Sequence, residues 1–206
     1  MTFGKNNFSL RPALLAVTMT LVLLGIMASS YAADGNDVLL KSVMARLGNV
    51  KSAKVDFVEK KFVKLLNTPA ESSGVLIYTA PDRFEKHTKK PLEERMTVER
   101  DMVTLNNVMR KKHQQVFIPQ FPALAAIVEA MRGALSGNLP QLQQAFSIAV
   151  SGNATRWKLH LVPLEASQYA YIHAVDMTGR DDFIDSIEIF QSDGDRSLMS
   201  MTRAAP

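Results

Sequence analysis

Residues 74–85 read GVLIYTAPDRFE, and the proline near the middle of that run tells what kind of sheet the chain builds. Gly74 precedes five strand-forming residues, Val75 to Thr79, and an extended run resumes at Arg83. Proline has no N–H to give to a sheet ladder, so Pro81 belongs at a strand end or on an edge. It also pushes Ala80 into extended backbone. Ala80-Pro81-Asp82 is therefore a corner between two consecutive antiparallel strands, the second over Arg83–Thr88.

The same alternation appears upstream, where Ala53, Val55 and Phe57 alternate with Lys54, Asp56 and Val58. This predicts a first strand from Ser52 to about Leu66. NTPAESSG is then a turn, and Gly74 opens the second strand. Before it, Leu40, Val43, Met44 and Leu47 recur at helical spacing, with Asn36 or Asp37 as cap and Gly48-Asn49 as terminator. Downstream, strands are predicted around Arg95–Val98, Val103–Val108 and Lys112–Phe117.

Residues 119–146, PQFPALAAIVEAMRGALSGNLPQLQQAF, break this rhythm and predict two helices. Leu124, Ile127, Val128, Met131 and Leu135 form an apolar face on the first. Asn138 caps the second, with Pro140 tolerated in its first turn. Strands return over Ser147–Val150, Arg156–Val162, Tyr169–Thr178, Phe183–Gln191 and Arg196–Arg203. The turns between them are SGN, GRDD and SDGD. The result is an α+β meander of about ten short strands with helices set against it. In the Phe183–Gln191 strand, Phe183, Ile187 and Ile189 are expected on one face and Ile184 and Phe190 on the other. A sheet curled around helices without closing and an ordinary sandwich both fit that pattern.

Lys5 and Arg11 precede the uncharged run ALLAVTMTLVLLGIMA, and small residues follow at Ser30-Tyr31-Ala32. That order predicts a secretory signal peptide over residues 1–32, cleaved after Ala32, because the apolar run is too short for a membrane span. The mature domain, residues 33–206, is expected in the periplasm. Removing Lys5 and Arg11 from the 24 basic residues leaves 22 against 20 acidic ones, so the net charge falls from +4 to +2. That balance gives no reason to expect nucleic acid. The chain has no cysteine, which excludes disulfides, thiolate chemistry and a lipid-modified N-terminal cysteine.

Enzyme constellations are missing from the sequence. His87, His113, His160 and His173 lack ligand spacing, Ser136 lacks a nucleophile elbow, and Asp181-Asp182 and Asp193/Asp195 sit in turns. No catalytic residue, metal site or cofactor is expected. The basic runs KHTKK and RKKHQQ lack interleaved aromatics and read as solvated strand ends. Eight of the 11 methionines fall after the signal peptide. They fit either core filling or a surface that repacks around variable apolar ligands.

VKSAKVDFVEKKF, ESSGVLIYTAPDRFE, GALSGNLPQLQQAF and WKLHLVP occur in this order, and with them the chain resembles the periplasmic outer-membrane lipoprotein carriers (LolA) and their receptor (LolB). The pattern comprises Phe57 with a polar residue two on, Gly74, Pro81, Phe84, Gly137-Asn138-Leu139 and Trp157 to Pro163. It covers nearly all of the mature chain. The resemblance implies an unclosed antiparallel half β-barrel of about ten to eleven strands, with a helical lid over its concave apolar face. Leu47, Phe84 and Met96 are then expected to face the cavity, with Leu124, Ile127, Val128 and Met131 supplied by the lid.

Family likeness further implies a monomer that carries acylated lipid or lipoprotein cargo from an inner-membrane donor to an outer-membrane acceptor, without covalent chemistry. Typical carriers place a lid-latching arginine before the proline and continue past the last strand. Here Ala80 takes the latch position and the sequence ends in TRAAP. These departures suggest a specialised paralogue, by analogy one serving aryl-polyene-type lipid biosynthesis. The alternatives are a non-transporting adaptor or sensor, docking a partner near Arg110–His113, and an enzyme on the same scaffold.

Overall fold

A computed structural model describes residues 31–107 and 112–203. The expected signal peptide lies outside the described residues up to position 30, as do Val108, Met109, Arg110, Lys111 and residues 204–206. Helix α1, Tyr31–Gly48, starts before Asn36 and Asp37 and runs through both, so neither caps it. Alanines 32 and 33 are strong helix formers and carry the helix upstream. It ends where expected, and the Lys51 ammonium donates to the Gly48 carbonyl at 2.9 Å.

Six strands follow: β1 Ser52–Phe62, β2 Ala70–Thr79, β3 Arg83–Lys90, β4 Glu94–Glu99, β5 Met102–Asn107 and β6 Lys112–Phe117. A short 3-10 turn leads into α2, Pro122–Ser136, and α3, Leu139–Ala145. Then come β7 Phe146–Asn153, β8 Arg156–Pro163, the short α4 Ala166–Tyr169, β9 Ile172–Arg180, β10 Phe183–Gln191 and β11 Arg196–Arg203. All pairings are antiparallel, and one sheet of 11 strands results, in the order β6-β5-β4-β3-β2-β1-β11-β10-β9-β8-β7. The edges β6 and β7 do not pair, so the sheet is not closed into a barrel.

This order explains where the helices go. The chain must travel from one edge, β6, to the other, β7, and α2 and α3 make that crossing. In a flat sheet, ten inter-strand gaps would separate the edges by roughly 48 Å, at about 4.8 Å each. Helix α2 reaches only about 22 Å, at about 1.5 Å per residue. A curled sheet relieves the mismatch and leaves the helices across its concave side.

Several predicted boundaries shift. β1 stops at Phe62, not Leu66, because the Lys64 N–H donates to the Asp195 carboxylate at 3.0 Å and Leu66 closes a turn onto the Val63 carbonyl at 2.9 Å. β2 begins at Ala70, so Gly74 is interior to the strand rather than its first residue. A Cβ at Gly74 would lie 1.9 Å from the His87 carbonyl oxygen, beside an irregularity in the β2–β3 register. That backbone contact is why glycine stands there. β9 begins at Ile172 because Tyr169 belongs to α4, its N–H taken by the carbonyl of Glu165, which caps that helix. Ile184 joins Ile187 and Ile189 on the cavity side, because a bulge between Ile184 and Ser186 reverses the alternation.

Asn138 caps α3 as expected, its side chain accepting from the Gln141 N–H, with Pro140 in the first turn. Gly137 ends α2 in the left-handed region at φ 67°. The core divides in two. One cluster gathers Phe57, Phe146, Trp157, Leu159, Leu161 and Met177 with α1 and α3 residues. The other sets Tyr78, Phe84, Val98 and Val103 beneath Ala125 and Val128 of α2.

Candidate functional site

The register aligns inward side chains in rows across the sheet. Ala53, Tyr78, Phe84, Val98, Val103 and Val116 form one row, and Val55, Leu76, Lys86, Met96 and Leu105 the next. On the other side of β1, Glu59 faces Met199, which faces Ile187. Between these rows and α2 lies a cavity of about 420 Å³, walled mainly by apolar side chains from both core clusters. Its volume falls within the range of about 300–1,000 Å³ usual for small-molecule sites.

Phe84, Met96, Leu124, Ile127, Val128 and Met131 all lie on this wall. Leu47 does not: it is fully buried in the main core cluster and absent from the cavity lining. The reason is the close approach of α1 to the end of α2, where a Cβ on Gly48 would stand 3.0 Å from the Gly137 Cα. The preceding residue is thereby pressed into the core. Met96, Met131, Met199 and Met201 line the cavity, while Met44 and Met177 are fully buried in the core. The methionines thus divide between core and cavity wall.

The cavity wall also holds a charged pair that the sequence reading did not single out. Glu59 is 5% exposed and accepts from Ser197 at 2.7 Å, from Ser72 at 3.2 Å and from the Lys86 ammonium. Lys61 stands 3.9 Å away. Lys86, assigned to a solvated strand end, instead points inward with its side chain 17% exposed. Gly74, opposite Phe57 on β2, presents no side chain, and the Lys86 ammonium sits 5.0 Å from the centre of the Phe57 ring.

Burial pushes the Glu59 carboxyl up, but the Lys86 charge and the hydrogen bonds from Lys86 and Ser197 outweigh it and hold the group below the usual carboxylate range. Because the folded value is depressed, the unfolded chain binds this proton more readily. The stabilisation is thus present above the unfolded glutamate value and is lost as pH falls through the folded value. Urea unfolding from neutral pH down to about 3.5 should show this loss, and Glu59→Gln should flatten that part of the profile. Equal acid sensitivity in both proteins would remove Glu59 from the account.

Ala80, at the expected latch position, donates its N–H to the Lys51 carbonyl at 2.9 Å and packs against the second core cluster. Contacts to the helix come from elsewhere. The Tyr78 hydroxyl lies 3.4 Å from the carbonyl oxygens of Leu135, in the last turn of α2, and of Pro81. Burial, aided by the Asp82 charge, pushes the Tyr78 pKa up, so the phenol stays protonated and able to donate. Arg132 of α2 donates to the Arg100 carbonyl in the β4–β5 turn.

The four histidines are dispersed: His87 against Glu85, His113 against Asn106, His160 against Asp176 and His173 beside the Tyr169 ring. Among the described residues no group of His, Asp and Glu is placed to hold a metal ion. No described helix is long and apolar enough to cross a membrane.

An open antiparallel sheet with an apolar cavity beneath a crossing helix is an arrangement suited to holding an apolar ligand. The family model for outer membrane lipoprotein carrier protein LolA-like matches residues 29–205. The chain belongs to that family. Among solved structures, a LolA superfamily protein from Nitrosomonas europaea is similar over 83% of this chain and 94% of its own, at 7% identity and a TM-score of 0.42. A putative outer membrane lipoprotein-sorting protein domain from Vibrio parahaemolyticus is similar over 81% and 91%, at 7% identity and 0.41. The comparison with curated proteins gave no match.

Proposed function

We propose that the protein is a periplasmic carrier that takes the acyl chains of a lipoprotein or lipid into this cavity and moves them toward the outer membrane. The observation that carries this reading is the apolar cavity between the open sheet and α2. Each methylene taken from water contributes about 0.8 kcal/mol, so a sixteen-carbon chain is worth roughly 12 kcal/mol. Such a chain does not cross an aqueous compartment unaided, and a protein that replaces the membrane interior solves that problem. An unclosed sheet suits the task because α2 can lift without breaking a strand pairing. The family's carriers support the periplasmic setting and argue against an enzyme.

A specialised paralogue, with a lipid-linked product of aryl-polyene-type biosynthesis as cargo, is the narrower form of this reading. Its support is the alanine at the latch position. Tyr78, Arg132 and the Gln168–Glu129 hydrogen bond hold α2, and Ala80→Arg should slow exchange of an apolar fluorescent probe by about tenfold, one added charge-assisted hydrogen bond. Unchanged kinetics would mean that position 80 does not govern opening.

Transfer is tested with donor vesicles carrying an acylated, fluorescent peptide and acceptor vesicles separated from them by a dialysis membrane. The carrier reading expects the protein to extract the peptide and deliver it. Extraction without delivery would favour the adaptor reading, and no extraction would count against both.

A further inference from the structure

A cavity serving only hydrocarbon has no use for a buried ion pair. Taking a carboxylate and an ammonium out of water carries a desolvation penalty that their attraction does not reliably recover, and apolar replacements are often as stable. Yet Glu59 and Lys86 stand on the cavity wall. Their position along β1 is informative. From Ala53, beside Tyr78 and the end of α2, the lining runs through Val55 to Glu59 and on to Lys61 and Phe62. At that second end Lys61 is 57% exposed and Arg196 is 44% exposed, its guanidinium 4.0 Å from the centre of the Phe62 ring. The cavity is thus apolar toward α2 and charged toward Lys61 and Arg196, with Asp195 also on the lining.

Lys86 has three N–H donors, and among the described residues only the Glu59 carboxylate accepts from it. Close by, Lys61 stands 3.9 Å from Glu59, and Arg196 is held by Glu188 at 2.7 Å.

We propose that Lys86, positioned by Glu59, is a specificity-determining residue that reads the head of an acyl amphiphile bearing an anionic oxygen, carboxylate or phosphate, with the tail lying toward Ala53 and Leu135. This rests on the carrier reading of the same cavity. It adds an orientation, because the head sits at Lys86 near the rim and the chain enters tail first. Glu59 fixes the ammonium over the Phe57 ring, so little side-chain freedom remains to be lost on binding.

The test compares hexadecanoate, hexadecyl phosphate and hexadecanol as competitors of a fluorescent acyl probe, with inorganic phosphate alone as a fourth arm. The wild-type protein should prefer both anionic amphiphiles over the alcohol by about tenfold or more, the worth of a hydrogen bond to a charged group. Lys86→Met should abolish that preference while leaving hexadecanol binding in place. Glu59→Gln/Lys86→Met, which buries no charge, should do the same and covers the case in which the single variant fails to fold. Equal wild-type affinity for the three amphiphiles, or a preference that survives in the folded variants, would overturn the assignment while leaving the carrier reading intact. Inorganic phosphate competing with the anionic amphiphiles in a Lys86-dependent way would overturn it in favour of a free-anion site. Failure of every amphiphile to bind would remove the carrier reading with it.

Discussion

Ile127→Glu should abolish acyl-chain binding and leave the sheet folded. Ile127 is half-buried on α2 and faces the cavity, so in the empty protein a glutamate there reaches solvent within the cavity. A bound chain would remove that water. The carboxylate must then be desolvated or protonated, at a cost of several kcal/mol, which weakens binding by roughly a hundredfold or more. Titration with a fluorescent acyl probe reads the loss, and circular dichroism reads the fold. Ile127→Met, similar in volume and apolar, should bind nearly as the wild type does. Unchanged binding in the glutamate variant would take α2 out of the mechanism.

The second large effect concerns stability. Trp157 is 2% exposed, sits across β8–β9 from Gly179, and donates its indole N–H to the Asp181 carbonyl at 3.1 Å. A Cβ on Gly179 would approach the indole to 2.3 Å, so the ring occupies the space a side chain would take. Trp157→Ala should lower the unfolding free energy by about 3–5 kcal/mol, from lost burial and an unfilled cavity. The chain has a single tryptophan, so the transition must be followed by far-ultraviolet circular dichroism. A loss below about 1 kcal/mol, the size of an ordinary surface change, would contradict the packing described for this half of the sheet.

Much of this architecture could be read from alternation and punctuation. Pro81 marked a strand end, β10 and β11 kept their predicted limits, and Asn138 with Pro140 announced α3. These are local signals, carried by residues whose backbone chemistry acts within a few positions. What failed depended on distant partners. The end of β1 is set by Asp195, far along the chain, and the bulge that returns Ile184 to the cavity side is a matter of register with β9.

The candidate site divides along the same line. The cavity face of α2 follows from helical spacing. Leu47 shares that apolar periodicity but is drawn into the core by the contact between Gly48 and Gly137, which no pattern within one helix reveals. Glu59 and Lys86 do leave a signal in the sequence. Glu59 follows Val55 and Phe57 at inward spacing and Lys86 follows Phe84, so each is a charge on a face meant to be buried. A charged residue at an inward position of a strand reads more usefully as a question about its partner than as a fray in the pattern.

The most direct measurement is made on protein exported in its native host, purified without detergent, extracted with organic solvent and analysed by mass spectrometry. The carrier account predicts an acylated lipid or lipoprotein recovered at near one molecule per protein, with an anionic head if Lys86 reads it. A folded protein that yields no lipid, and takes none from membrane vesicles, would contradict it.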